Sequence, residues 1–386
     1  MPGDDAAHEA PTRRDYVKYG GAIVGGGLLA GCTESGEPES TSTETSTNTA
    51  SPTEDDGSYT VSMEPVGDVE FESVPETWVA NNGSWADMGI ALGQEPPEGL
   101  WLTGRYRTRY YDEIPGVSVD ESEIADLYRD GVSKELFYEL DGDIHVIDPN
   151  FLMNRFKGWE REDVDEIREN VSPFFGNSIF SRGYPWHENY RYYSLYEAFE
   201  KLSRVFQQQA RYESFVSVHE SFQENLAPVV PGRSDRPSVA VLWASGDRPE
   251  TFLPYVIGDG SSFKHLRDLK LRDALARSDI KDFHADRGEI DYETLLDIDP
   301  EVLLLRGQEA KSADEFEQTV VEFMRNHGVA SDLTAVENAA VYRAGGLYQG
   351  PITNLVLTER LAANVYDVDE ELFDRQQVAD IVNGDI

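Results

Sequence analysis

The chain has 386 residues, 73 acidic and 33 basic side chains, a formal net charge of −40 and one cysteine. Phosphate binding needs a basic face, so this balance excludes nucleic acid as a partner, and a lone cysteine excludes a disulfide-stapled fold. Only 8 of the basic residues are Lys against 25 Arg, and the acids run through the whole chain; such self-repulsion is tolerated where salt shortens the Debye length to ~3 Å, so the composition predicts a halophilic protein.

Residues 1–31 read as a twin-arginine lipoprotein signal peptide. Arg13 and Arg14 precede Lys18, and a run of apolar and small residues from Tyr19 to Gly31 follows. That run is too short to span a bilayer, which takes ~20 apolar residues. Leu29-Ala30-Gly31-Cys32 closes it, and Cys32 is the expected lipidation site, with Tat export placing the mature chain on the outer face of the cytoplasmic membrane. Residues 32–57 are rich in Ser, Thr, Glu and Pro and are expected to form a disordered tether.

Residues 58–191 are expected to form an N-terminal α/β lobe. Thr77 to Ala80 reads as a strand, and Ser84 can cap a helix running to Leu92 before Gly93. Val132 to Leu140 has helical spacing, Asp141-Gly142-Asp143 turns the chain, and Ile144 to Ile147 is a buried-type strand. Residues 192–228 carry an apolar stripe from Leu195 to Leu226 with no Gly or Pro before Pro228. This predicts one connecting helix of ~50 Å; two helices broken near Gln209 are the alternative. Residues 229–386 are expected to form a C-terminal α/β lobe, with strands at Ser238–Trp243, Val302–Leu305 and Ala340–Tyr342, a helix capped by Ser261 or Ser262, and another from Ile352 to Tyr366.

The two lobes repeat a short unit. Glu135 to Asp143 leads into the strand at Ile144, and Glu293 to Glu301 leads into the strand at Val302. Each Glu falls in a first helical turn, where the helix dipole favours an acid.

With these units, the lipobox, the Trp78-Val79-Ala80 strand, the helix ending Ala91-Leu92-Gly93 and Ala335 to Tyr342, the chain resembles the substrate-binding lipoproteins of ABC importers for iron–siderophores, haem and vitamin B12. That is the helical-backbone class of periplasmic binding proteins, and the resemblance covers most of residues 75–366. It implies two Rossmann-like lobes joined by one long helix, with a ligand cleft between them. It also implies docking on an ABC permease and its ATPase through one Glu per lobe, here Glu135 and Glu293. The chain departs from the pattern at Asp141-Gly142-Asp143, where a Pro is usual, and in a long insert around residues 150–192.

A cleft ligand is held by loops that follow strand ends. In this chain those loops concentrate Arg and aromatic side chains. The candidate ligand-binding residues are Trp85, Arg107, Arg182, Trp186, Trp243, Arg248 and Tyr348. Aromatic rings cover apolar ligand faces, and guanidinium forks match carboxylate or hydroxamate oxygens. The mix suits an anionic metal chelate: a ferric siderophore first, then a corrinoid or haem. No protein cofactor, no protein-held metal and a monomeric state are expected. The sequence contains no G-x-S-x-G, H-E-x-x-H, C-x-x-C or phosphate-loop motif, so a non-enzymatic binder is the first reading and an exported cell-surface hydrolase the alternative.

Overall fold

The computed structural model describes residues 57–128, 133–156, 158–283 and 288–385. Arg13, Arg14 and Cys32 lie outside the described residues. The chain enters on a hairpin, β1 (Tyr59–Met63) and β2 (Gly67–Phe71), paired antiparallel from Tyr59↔Phe71 to Met63↔Gly67. Its alternate residues Val61, Met63, Val69 and Phe71 are buried, the period-2 pattern of a sheet with one wet face.

The first lobe is a four-stranded parallel sheet in the order β5-β4-β3-β6. Its strands are β3 (Trp78–Ala80), β4 (Gly99–Leu100), β5 (Ala125–Asp126) and β6 (Ile144–Val146). The helix α1 (Gly83–Ala91) leaves β3; Asn82, not Ser84, caps it by accepting from the Ser84 N–H. All nine residues of α1 are buried, as expected of a helix covered on every side. Next come α2 (Lys134–Leu140), α3 (Pro149–Arg155) and α4 (Arg161–Asn170). A segment without regular elements, residues 171–194, then reaches the second lobe: the Ser261 N–H donates to the Ile179 carbonyl at 2.9 Å. A Cβ at Gly260 would lie 2.3 Å from the Phe180 carbonyl oxygen, so only glycine permits this approach.

The stretch predicted as one connecting helix is two: α5 (Leu195–Val205) and α6 (Gln209–Leu226). They fold back on each other. Phe199 and Phe215 rings lie 5.8 Å apart, and Tyr196 and His219 rings 4.3 Å, with Gln207 at φ 51° in the bend. Gln is a fair helix former, so propensity does not make the break. Burying both halves of the apolar stripe against each other and the lobes does.

The second lobe's sheet runs β11-β10-β7-β8, with β9 also on β7. Its elements in chain order are β7 (Ser238–Trp243), β8 (Leu253–Tyr255), α7 (Lys264–Asp268), β9 (Arg272–Asp273), α8 (Tyr292–Ile298), β10 (Val302–Arg306), α9 (Ala313–Phe316), α10 (Glu322–Asn326), α11 (Thr334–Glu337), β11 (Val341–Arg343), α12 (Pro351–Tyr366) and α13 (Arg375–Asn383). Every pairing is parallel except β7 with β8. The two-lobed α/β architecture expected from the sequence is thus present, and all described residues fall within one unit, Asp55–Ile386.

The repeated unit is a structural repeat. Both α2 and α8 have seven residues and end on a left-handed aspartate, Asp141 at φ 43° and Asp299 at φ 42°. In each, that residue's N–H returns to a carbonyl four residues back, Phe137 and Leu295. Asp143 then accepts from the Thr77 N–H at 2.9 Å beside β3, and Glu301 accepts from the Ser238 N–H at 2.7 Å at the start of β7. Glu135 and Glu293 are exposed in corresponding first turns.

Asp87 ties α1 to α12. Fully buried, it accepts from the Ile352 N–H (3.0 Å), the Thr353 N–H (3.2 Å) and Tyr111 Oη (2.8 Å). Burial lifts its carboxyl to about 6, although hydrogen bonds from Tyr111, Thr353 and Ile352 oppose that rise.

Candidate functional site

The C-terminal strand ends of the two sheets bring an arginine–aromatic constellation together. Arg105, between β4 and β5, places its guanidinium carbon 4.9 Å from the ring centroid of Trp243, the last residue of β7. Trp243 Nε1 donates to Ser245 Oγ at 3.2 Å, which fixes the ring's edge and leaves a face for the cation. The Tyr348 hydroxyl lies beside the Arg105 guanidinium, and the Arg155 charge also acts on it; burial nevertheless holds the phenol above its ordinary value.

Tyr348 carries the constellation into the first lobe. Its ring meets Phe180 edge-on at 5.3 Å, Phe180 meets Tyr184 at 6.1 Å, and Tyr184 stacks on Trp186 at 4.3 Å with the planes 9° apart. Arg155, at the C-terminus of α3, sits 5.8 Å from the Trp101 ring, and Trp101 packs edge-on against Phe151 at 4.5 Å. Three donors here are buried with no protein acceptor among the described residues: Trp101 Nε1, Trp186 Nε1 and Arg155 Nε. Buried donors left unpaired cost ~1–3 kcal/mol each.

The sequence-derived candidates distribute unevenly over this arrangement. Trp243, Trp186 and Tyr348 belong to it. Arg107 is half-buried just before the turn Thr108–Glu113, and its charge acts on Glu309 of the second lobe, with no contact to the constellation. Arg182 is exposed and already engaged, over the Tyr192 ring at 4.8 Å and 3.4 Å from Asp259. Arg248 is exposed, and no contact joins it to the others. Trp85 is a correction: it is fully buried within α1, in the main hydrophobic core, because α1 turns its whole circumference inward. The sequence reading missed Arg105 as the bridging arginine, together with Arg155 and Trp101. Arg105 stood in the Arg105 to Tyr111 run, where spacing alone does not tell which of three arginines faces the cleft. Among the described residues no three His, Cys, Asp or Glu side chains converge as a metal-binding group.

Residues 170–346 match the family model described as periplasmic binding protein. This chain has the periplasmic-binding-protein fold. Solved structures agree. The iron-uptake ABC transporter substrate-binding protein PiuA of Streptococcus pneumoniae is 16% identical, covering 78% of this chain and 96% of its own, with a TM-score of 0.53. Staphylococcus aureus SirA, complexed with staphyloferrin B, is 15% identical over 82% and 100% with a TM-score of 0.52. Helicobacter pylori CeuE, with Ni(II) bound, is 12% identical over 85% and 99% with a TM-score of 0.57. None of the curated proteins matches the chain. The periplasmic-binding-protein match begins in α4 and ends after β11, so it takes in the connector and most of the second lobe but little of the first. The Asp141-Gly142-Asp143 turn lies in the unmatched part, and the match begins within the long insert.

Proposed function

We propose that this protein is the extracytoplasmic substrate-binding component of an ABC importer, a non-enzymatic binder that captures an anionic metal chelate, a ferric siderophore first, and hands it to a membrane permease. The observation that carries this reading is the Arg105–Trp243 contact, a guanidinium of one lobe on an indole of the other. Guanidinium forks match carboxylate, hydroxamate or catecholate oxygens, and Tyr184, Trp186, Trp243 and Tyr348 supply rings for the ligand's apolar faces. PiuA, SirA and CeuE supply the fold-level support. The decisive experiment is mass spectrometry with visible absorbance of protein purified from its native host. A bound coloured chelate supports the reading. A colourless protein that also fails to bind ferric chelates in titration refutes it.

Glu135 and Glu293 are the proposed contacts to the permease, one from each copy of the repeated helix. Cys32 is proposed to carry the lipid, after export by the twin-arginine route. A Cys32→Ala protein that stays on the membrane through a high-salt wash rules out that anchor. The acidic surface is proposed to suit molar salt; far-UV circular dichroism unchanged on dialysis into dilute buffer rules out that adaptation.

A further inference from the structure

The two lobes meet in two different ways. At the seam between α1 and α12, the fully buried Asp87 accepts from the Ile352 and Thr353 N–H groups. The other meeting is backbone to backbone. Residues 179–181, in the segment without regular elements, run past the loop 258–262 between β8 and α7. The Ser261 N–H donates to the Ile179 carbonyl at 2.9 Å, and the Ser262 N–H to the Phe180 carbonyl at 3.4 Å.

Each side of this contact is anchored in its own lobe. The chain before residue 179 lies beside the edge strand β6: the His145 N–H donates to the Pro173 carbonyl at 3.0 Å, and the His145 carbonyl accepts from the Phe175 N–H at 2.8 Å. Buried Asn177 donates through Nδ2 to the Glu64 and Arg191 carbonyls at 2.8 and 2.9 Å. Tyr190 Oη accepts from the Ser178 N–H at 2.7 Å and donates to Asp148 at 2.6 Å. In the second lobe one nitrogen of Arg267 bridges the Gly258 and Gly260 carbonyls, the latter at 2.9 Å, and so holds the loop in shape.

Gly260 marks how close the two backbones come. Its φ of −61° and ψ of 158° are extended backbone open to any residue, so conformation does not call for glycine. A Cβ there would lie 2.3 Å from the Phe180 carbonyl oxygen, 2.8 Å from its carbon and 3.2 Å from Ser181 Cα. All three are backbone atoms of the other lobe's segment, so the approach alone requires glycine. Arg105 and Arg182 also cross between the lobes, Arg182 to Asp259 at 3.4 Å, but a long side chain can follow a small displacement. A backbone hydrogen bond at this distance is lost with it.

We propose that residues 179–181 and the loop 258–262 form a latch between the lobes: the lobes rock about the buried Asp87 seam, and the latch opens and closes as they do. The inference stands on the fold and not on the ligand reading. The two are neighbours, because Phe180 of the latch packs edge-on against Tyr348 at 5.3 Å, beside Arg105.

The test is amide hydrogen exchange of the full-length protein in molar KCl, read as protection relative to an unstructured amide. Ser261 and Ser262 are expected to open together and to be protected at least ~10-fold less than Ile352 and Thr353 at the seam, or Asn81 and Leu303 inside the lobes, because a local opening costs less than opening the core. Gly260→Ala is expected to remove a further ~10-fold of protection from Ser261 and Ser262, the worth of about one hydrogen bond, and to leave the other four within about twofold. Nitroxide labels at Glu135→Cys and Glu293→Cys, with Cys32→Ser so that no other thiol remains, report the lobes directly: one distance population is expected in the parent and a shifted or second population in Gly260→Ala. If all of these amides lose protection together, Gly260→Ala has not folded, and the parent's own pattern decides. The proposal is overturned by parent Ser261 and Ser262 amides as protected as Ile352 and Thr353, by a folded Gly260→Ala protein that keeps the parent's protection there, or by label distances that Gly260→Ala leaves unchanged.

Discussion

Arg105 of the first lobe lies over the indole of Trp243 in the second, 4.9 Å from the ring centroid. The contact joins the two lobes, so it belongs both to the proposed ligand site and to the force holding the lobes together. Partly exposed cation–π pairs contribute ~0.5–1 kcal/mol. Arg105→Ala is therefore expected to lower stability by no more than about that amount while weakening ferric-chelate binding at least ~10-fold, through loss of a charge-assisted donor. Tryptophan-fluorescence titration reads the affinity and thermal unfolding the stability. Unchanged affinity would remove Arg105 from the site.

Trp85→Ala is expected to behave in the opposite way. A fully buried Trp replaced by Ala costs ~3–5 kcal/mol, and Trp85 has no exposed surface. A large drop in Tm with chelate affinity retained in the folded fraction is the expected result. A mild Tm change with lost affinity would return Trp85 to the ligand site.

Glu135 and Glu293 are exposed on equivalent helices. Surface substitutions of this kind shift stability within ±0.5 kcal/mol. Replacing both with Ala is expected to abolish uptake in cells while leaving Tm and chelate affinity in place. Normal uptake by the double variant would assign docking elsewhere.

Two buried groups give stability opposite pH dependences. The neutral His265 is satisfied on both nitrogens: Nε2 donates to the Ala344 carbonyl at 2.8 Å and Nδ1 accepts from Gln349 at 3.0 Å. Burial lowers its pKa to about 3. The unfolded chain takes up the proton first, so stability is full above pH ~6.5 and is lost as pH falls through that value. At ~1.4 kcal/mol per unit, about 2 kcal/mol goes between pH 6.5 and 5. For Asp87, raised to about 6, the folded state binds the proton more tightly, so its contribution is lost as pH rises from ~4 towards 6. Denaturant unfolding across this range is expected to show a shallower acid loss in His265→Gln than in the parent, and Asp87→Asn gaining on the parent between pH 4 and 6. Parallel pH profiles for all three proteins would contradict both assignments.

The sequence exposed the strands best where a continuous apolar run met a turn. Ser238–Trp243 is β7 to the residue, and Val302 to Leu305 is β10 short of Arg306. It also exposed the paired Glu helices, because an acid in the first turn and an aspartate at the end recur at the same spacing. It offered the bend at Gln207 only as an alternative, a break near Gln209, because the bend carries no glycine or proline and comes with rings 199 and 215 meeting. The hairpin β1–β2 went unread although Val61, Met63, Val69 and Phe71 alternate inward. In the site, Trp101 and Arg155 are more than fifty positions apart in the sequence and share no motif, so only the folded chain joins them.

The twin carboxylate latches have a further consequence, for the order in which the chain folds. Asp143 reaches Thr77 across 66 residues, and Glu301 reaches Ser238 across 63. Loop-closure entropy varies only with the logarithm of loop length, so the two closures face almost the same entropic barrier. Neither half is favoured to nucleate first, and each carries its own register pin between two neighbouring strands of its sheet. Fragments of the two halves should therefore collapse on similar timescales.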